Sequence, residues 1–394
     1  MTEHRHIPWK TFLKDVLICS LGAYGGPEAH YGVFTDQMIT KKHYLTEEEL
    51  TELIALTAIV PGPSSTQTIV AIGYKVGGPW LALLTMIVWA LPVVILMTAL
   101  SFMYQILERL NVGSEGLRLI APMAVGFIFI AAFRIGRKVV KDPLTLIIFL
   151  IAGVITYFFR YAWVFPLLLF LGGLTYVLLS KEKDLWHKIT LKPPYKYLIA
   201  FFSLLAVSVI LLFVINHPIT FLFERFFQYG YLIIGGGQVV VPYMFTDFVE
   251  TYGFMTSQEF LTGFGLVQGL PGPMFSFSAY AGGMAARSLS PFLQAFTGIL
   301  SAIAIFTPGV LLIYFIYPIW IQLKTIKGIR VAIKGITVVA TGLIASAGVV
   351  LLRESGVSLE NIIVLVVTSL LLLTKKIPAP LIVLLVIIFG FILI

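Results

Sequence analysis

Charge is scarce in this sequence of 394 residues: Asp, Glu, Lys and Arg make up 12% of it, against about 25% in an ordinary soluble domain. Apolar residues make up 59% and the mean hydropathy is +0.97. That is more apolar surface than a sphere of this size can hide, so lipid is the solvent for much of it. Period-two alternation is missing too. The stretch 80–104 is apolar on every face, which excludes a transmembrane β-barrel, whose strands alternate. A single cysteine, Cys19, excludes a disulfide framework or a thiolate metal site within one chain and leaves packing as its role. The histidines do not gather: His4, His6 and His30 lie near the N-terminus, and His43, His187 and His217 are scattered. A membrane-embedded enzyme, such as a lipid-modifying transferase, would need a clustered acid, base or metal constellation, so no catalytic residue, metal or cofactor is expected. A phosphate-cradling glycine loop with lysine is also lacking, so ATP would have to be used by a separate subunit. The net charge of +8 sits in short loops between apolar runs, where it reports orientation, and no nucleic acid partner is expected. The N-terminus has no secretory pattern, because Asp15 interrupts the first apolar stretch and Gly25-Gly26-Pro27 follows it without a small-residue cleavage site. Insertion is expected to use the first mature helix.

What is present is a set of apolar runs long enough, alone or slightly extended, to cross about 30 Å of hydrocarbon as helices. They are 80–104, 117–133, 144–157, 162–179, 197–215, 292–319, 331–352, 359–373 and 381–394. The runs 144–157 and 381–394 are short and need flanking residues or local thinning of the bilayer. The fold class expected is an all-α polytopic membrane protein.

Before each set of four runs lies an apolar segment broken by glycine and proline, 16–73 and 226–283, and these two segments are copies. At a constant offset of 210 residues, Gly25, Gly26, Thr46, Glu49, Leu56, Pro61, Gly62, Pro63, Ala71 and Gly73 meet Gly235, Gly236, Thr256, Glu259, Leu266, Pro271, Gly272, Pro273, Ala281 and Gly283. The chain therefore divides into a first repeat, 1–180, a basic linker with a connecting span, 181–220, and a second repeat, 221–394. One extra span between the copies forces the second to enter the membrane from the other side, so equivalent loops should swap charge. Arg134, Arg137, Lys138 and Lys141 face only the balanced pair Arg353 and Glu354. Lys324, Lys327, Arg330 and Lys334 face Glu108, Arg109, Glu115 and Arg118, where signs cancel, and Lys375 and Lys376 answer a lone Arg160. Placing every basic loop in the cytoplasm also places Lys181, Lys183, Lys188, Lys192, Lys196 and the N-terminus there. Two inverted-topology repeats with discontinuous, re-entrant helices are expected.

A Pro-Gly-Pro inside an apolar run cannot continue a helix, since each proline removes a donor and restricts the residue before it. In hydrocarbon such a break is tolerated only where it is buried in protein or lines a wet cavity, and a break present in inverted copies points both at one midplane site. After the first break come Ser64, Ser65, Thr66 and Gln67; after the second come Met274, Phe275, Ser276, Phe277 and Ser278. Each opens a half-helix whose unpaired amides, dipole and hydroxyls suit an oxyanion. The alternative is that the prolines only kink packed helices. Gly25-Gly26-Pro27-Glu28-Ala29-His30 and Gly235-Gly236-Gly237-Gln238 form a second pair of breaks, with glycine allowing close approach or positive φ. Glu28 and His30 either exchange protons within the membrane, coupling anion movement to the proton gradient, or sit solvated at the cytoplasmic mouth. Glu49 and Glu259, three residues after Thr46 and Thr256, fit capping boxes. Lys75 and Arg287 either snorkel to opposite interfaces or draw anions inward. Asp36 and Asp247 are not quite in register and are not a pair.

At these residues the sequence resembles the chromate transporter (CHR) family in its long, two-domain bacterial form. The shared words are Gly25-Gly26-Pro27-Glu28-Ala29-His30, Pro61-Gly62-Pro63 with Gln67, Gly235-Gly236-Gly237 followed by Pro242, and Gln268-Gly269-Leu270-Pro271-Gly272-Pro273, and the resemblance covers nearly the whole chain. It implies a multi-pass protein of the bacterial inner membrane that moves chromate outward under proton-motive force, with sulfate-like anions competing. One position departs from the family: the first copy has Ala58 where the second keeps Gln268, so the first break lacks that amide. The substrate-binding residues expected are Gly25, Gly26, Pro61 to Gln67, Gly235 to Gln238, Gln268, Pro271 to Pro273, Ser276 and Ser278, with Glu28 and His30 coupling protons. The partners expected are chromate or a similar oxyanion, protons, the lipid bilayer and a second copy in a homodimer. A passive anion channel is the second reading, distinguished by voltage-driven current without proton coupling.

Overall fold

The computed structural model describes residues 7–110, 114–161, 163–182, 184–215, 217–233 and 240–393, apart from the side chains of Glu28, Glu108 and Ser114. Among these residues the chain is helical and has no strand. In order the helices are α1 (Trp9–Gly22), α2 (Pro27–Phe34), α3 (Glu47–Thr57), α4 (Ser64–Arg109), α5 (Ile120–Val139), α6 (Pro143–Phe158), α7 (Val164–Leu178), α8 (Tyr195–Ile215), α9 (Pro218–Leu232), α10 (Val240–Phe245), α11 (Ser257–Gln268), α12 (Phe277–Ala285), α13 (Pro291–Ile316), α14 (Trp320–Leu323), α15 (Lys327–Glu354), α16 (Leu359–Thr374) and α17 (Ala379–Ile392). Each of the nine apolar runs falls on a helix. Five stretches are long and apolar enough to cross a bilayer: Ser64–Leu107, Glu115–Val139, Tyr195–Ile215, Pro291–Leu323 and Lys327–Glu354. The protein is an all-α polytopic membrane protein.

The first break of α4 lies where the sequence reads Gly77-Gly78-Pro79. Gly77 and Gly78 leave helical geometry, Gly78 at φ +76, and the chain turns from a half-helix, 64–76, into a long helix, 79–109. The half-helix folds back on α3: the Thr57 and Thr68 hydroxyls are 2.9 Å apart and Lys75 pairs with Glu49 at 2.7 Å. The segment before it also doubles back, since the Asp15 carboxylate of α1 accepts from Gln37 and from Tyr44, at 2.7 and 2.6 Å. In the second half Tyr229 of α9 donates to Asp247 at 2.7 Å, and Arg287 after α12 pairs with Glu259 at the start of α11. Each half thus opens with two hairpins. Both α2 and α10 run on into a π-helical turn, Thr35–Lys41 and Thr246–Thr251, so even this distortion occurs twice.

Capping explains where the hairpins start. The Thr46 hydroxyl accepts from the Glu49 amide while the Glu49 carboxylate accepts from the Thr46 amide, and Thr256 and Glu259 repeat the arrangement. Both capping boxes expected from the sequence are formed. Lys75 and Arg287 each pair with the carboxylate of their own capping box.

The long helix of α4 and α13 run antiparallel. Gln294 reaches Ser101 at 3.5 Å near one end, and the Tyr314 hydroxyl donates to the Pro79 carbonyl at 2.6 Å near the other. A second bundle forms where α15 packs among α5, α6 and α7, with α16 against α5. Small residues make these crossings possible: a Cβ on Gly335 of α15 would lie 2.2 Å from the Gly172 carbonyl oxygen of α7, and one on Gly342 would lie 2.5 Å from that of Phe149 on α6. Close backbone approach through glycine is how helices associate where no water drives them together. The connecting helix α8 has little cover from the rest of the molecule, with Phe213 at 85% exposure, as expected of a lipid-facing span.

Candidate functional site

The two Pro-Gly-Pro motifs are interlocked with the opposite half of the chain. The Gly62 amide donates to the Ile233 carbonyl at 2.7 Å, and the Gly272 amide donates to the Ala23 carbonyl at 2.8 Å. Gly62 corresponds to Gly272, and Ala23 to Ile233, at the same offset of 210 residues, so one bond is the counterpart of the other. Both glycines hold positive φ, +135 for Gly62 and +112 for Gly272. Each break is therefore buried in protein, and each lies against the residue two positions before the glycine pair of the other half.

The first tip is the start of a helix. Gln67 is the first residue of α4 whose amide finds a turn partner, the Pro63 carbonyl at 2.8 Å. The Ser64, Ser65 and Thr66 amides precede it, the orphan donors of a helix N-terminus, with the positive end of the dipole behind them. Ser64, Ser65 and Thr66 line a cavity of about 30 Å³ together with Gly26, Pro27, His30, Pro63, Met274 and Phe275, room for about one water. Gly26, at φ +100, caps α2 and Pro27 is its first residue, so a second helix start borders the same space. Met274 and Phe275, in the 3₁₀ turn that follows Pro273, bring the tip of the second half to it. His30 is buried, with Nδ1 2.9 Å from the Ser65 hydroxyl and its ring edge-to-face with Trp89 at 5.4 Å. The Trp89 indole N–H donates to the Thr66 hydroxyl at 3.2 Å, and the Trp89 carbonyl accepts from Ser20 at 2.7 Å.

Not every expected residue faces this cavity. The Gln67 amide nitrogen donates to the Pro61 and Gly309 carbonyls, at 2.7 and 3.2 Å, and so braces the break. The Gly62 and Gly272 amides are spent on the crossed bonds. Pro61 and Pro271 shape the breaks, and Gly25 and Gln268 line a different cavity. Ser278 donates back to the Phe275 carbonyl at 2.7 Å, and the buried Ser276 hydroxyl has no partner among the described residues. Gly235, Gly236, Gly237 and Gln238 lie outside the described residues, as does the Glu28 side chain. The wall supplied by the second half is thus apolar where hydroxyls were expected, because the 3₁₀ turn puts Met274 and Phe275 at the front. Trp89 was missed altogether. Its one signal in the sequence is a Trp inside an apolar run, since a buried indole N–H needs an acceptor.

The family model described as Chromate transporter matches residues 10–177 and 220–392. A "Probable chromate transport protein" of Synechococcus elongatus is 27% identical over 375 residues, covering 94% of this chain and 92% of that protein. A "Chromate transport protein" of Cupriavidus metallidurans is 25% identical over 368 residues, covering 91% and 87%. An uncharacterized transporter of Methanocaldococcus jannaschii is 24% identical over 380 residues, covering 94% and 90%. No solved structure matches the chain. With the family model on both halves and the doubled hairpins that its two matched stretches contain, the chain belongs to the chromate transporter family.

Proposed function

We propose that the protein is a secondary transporter of a tetrahedral oxyanion, chromate first and sulfate-like anions in competition, in the cytoplasmic membrane of a bacterium. The observation that carries this reading is the meeting of the amide-rich start of α4, the start of α2 and the tip at Met274 and Phe275 around one cavity between the halves. An anion of five heavy atoms needs more than a water-sized space, so the site must open, and the crossed bonds at Gly62 and Gly272 are the contacts that rocking one half against the other would remake. The reading takes 1–180 and 221–394 as repeats of inverted topology, with the N-terminus in the cytoplasm. It is supported by the antiparallel run of two equivalent helices, the long part of α4 and α13, and by the swap of charge between equivalent loops. Chromate leaves the cell, and Glu28 and His30 couple its movement to protons.

The test is flux of chromate and of sulfate in liposomes containing the purified protein, with and without an imposed proton gradient. Saturable flux of either anion, accelerated by the gradient, is expected. Absence of flux for both overturns the reading, and voltage-driven current without proton coupling, at rates beyond a carrier cycle, replaces it with a channel.

A further inference from the structure

A second and larger cavity, about 460 Å³, lies on the other side of the Gly25-Gly26 link: Gly25 lines it, while Gly26 lines the water-sized space. Its polar wall consists of Arg134 from α5, Lys375 at the end of α16 and Gln268 at the end of α11, set among residues such as Tyr24 and Phe127. No carboxylate is among the described residues that line it. Arg134 donates to the Leu372 carbonyl, a bond that fixes the guanidinium without neutralising it. Lys375 holds left-handed backbone, φ +56, at the point after a helix where glycine is the unstrained choice. Gln268 is buried, and its amide nitrogen has no partner among the described residues. A half-turn of that group exchanges its oxygen and nitrogen, so it can present a donor to the cavity. A buried amide without a partner among the described residues, beside two cations, is a wall whose chemistry suits an anion.

We infer that this cavity is a second anion site, a vestibule in which a hydrated divalent oxyanion is collected before it passes the Gly25-Gly26 link to the tip cavity. The inference rests on the transport reading above. The space holds a tetrahedral anion with several waters, so the solute is held there without losing its hydration. Two cations, with no carboxylate among the described residues that line the cavity, raise the local concentration of anions in a way that salt screens.

The experiment measures initial rates of chromate flux against chromate concentration in liposomes containing the full chain, for wild type, Lys375→Gln, Arg134→Gln, the double variant and Arg134→Lys. Each neutralising variant is expected to raise KM roughly tenfold, the scale of removing one charge that faces a dianion across water, to keep the maximal rate within about twofold, and to flatten the salt dependence. Arg134→Lys should stay near wild type. Arg134→Gln also removes the donor to Leu372, so Lys375→Gln, at an exposed position, serves where that variant does not fold. An unchanged KM and salt dependence in Lys375→Gln and the double variant overturns the vestibule, as does a loss of maximal rate at constant KM. A second readout does not need transport: sulfate should raise the melting temperature of the detergent-solubilised wild type more than that of Lys375→Gln. If wild type carries no oxyanion but this difference persists, the transport reading fails and the anion site stands; if neither is seen, both fall.

Discussion

Gly62 and Gly272 hold backbone that other residues adopt only with strain, and each gives its amide proton to the opposite half. Alanine at Gly272 would bring a Cβ within 2.9 Å of Val93, and alanine at Gly62 would bring one within 3.0 Å of the Gly309 backbone. Gly272→Ala and Gly62→Ala are each expected to cost about 2 kcal/mol from backbone strain and to reduce chromate flux severely. The melting temperature in detergent and flux per inserted molecule measure this; a stable variant with wild-type flux would make the breaks mere kinks. Gly32→Ala is the control, since nothing lies within 4 Å of the added methyl group. His30 is the other residue on which the site turns. Glu28→Gln and His30→Gln remove the groups proposed to couple protons, and His30→Gln keeps a partner for Ser65, so the pH profile of flux should flatten in both; an unchanged profile removes that residue from proton coupling. Which residues break the chain was legible in Pro61-Gly62-Pro63 and its copy, because proline and glycine act locally. What those residues bond to was not. Gly62 finds Ile233, and Trp89 finds Thr66, through folding over distances that no local pattern encodes.

Among elements, the starts were the most legible. Thr46 with Glu49 and Thr256 with Glu259 predict capping boxes because a cap satisfies donors within three residues of itself, and both boxes form. The apolar runs predict helices for the same local reason. How the helices pair was hidden, since every apolar face is alike in lipid; Gly328, Gly335 and Gly342 recur every seven residues along α15, but that spacing does not say which helix each one meets. Gly335 is the sharpest of them, because the atom a side chain would strike is the Gly172 carbonyl oxygen, at 2.2 Å, and backbone cannot swing aside. Gly335→Val is expected to cost more than about 3 kcal/mol, the upper end for overpacking, and to lower the amount of folded protein recovered from membranes. Size-exclusion profiles in detergent would show it as loss of the monodisperse peak. Gly335→Ala should lie between Val and wild type. Equal recovery of all three would mean that α15 and α7 are not held in this contact.

For the whole molecule, the offset of 210 residues shows that the chain is doubled, and the observed hairpins, capping boxes and π-helical turns each occur twice. Its orientation rests on the basic loops, and the structure gathers several of them. The linker after α7 docks on the start of α15, where the Gly328 amide donates to the Leu185 carbonyl at 2.8 Å and His187 meets Thr325 at 2.9 Å. Lys188 and Lys324 thus share one end of the bundle. The other end of α15 leads to Val357. At 28 residues the helix is about 42 Å long, more than the roughly 30 Å of hydrocarbon, long enough for its two ends to emerge on opposite faces. Lys376, beyond the far end of α16, then returns to the face of Lys188. Cys19 is fully buried, so the chain gives little background to a thiol reagent and single added cysteines report cleanly. With a membrane-impermeant reagent, Val357→Cys is expected to label in intact cells, and Lys188→Cys and Lys376→Cys only in inside-out vesicles. Val357 and Lys188 labelling from one side would contradict α15 as a span. The reverse assignment of all three would keep the span and invert the protein, placing its basic loops outside and turning the vestibule at Arg134 and Lys375 away from the cell's own anions.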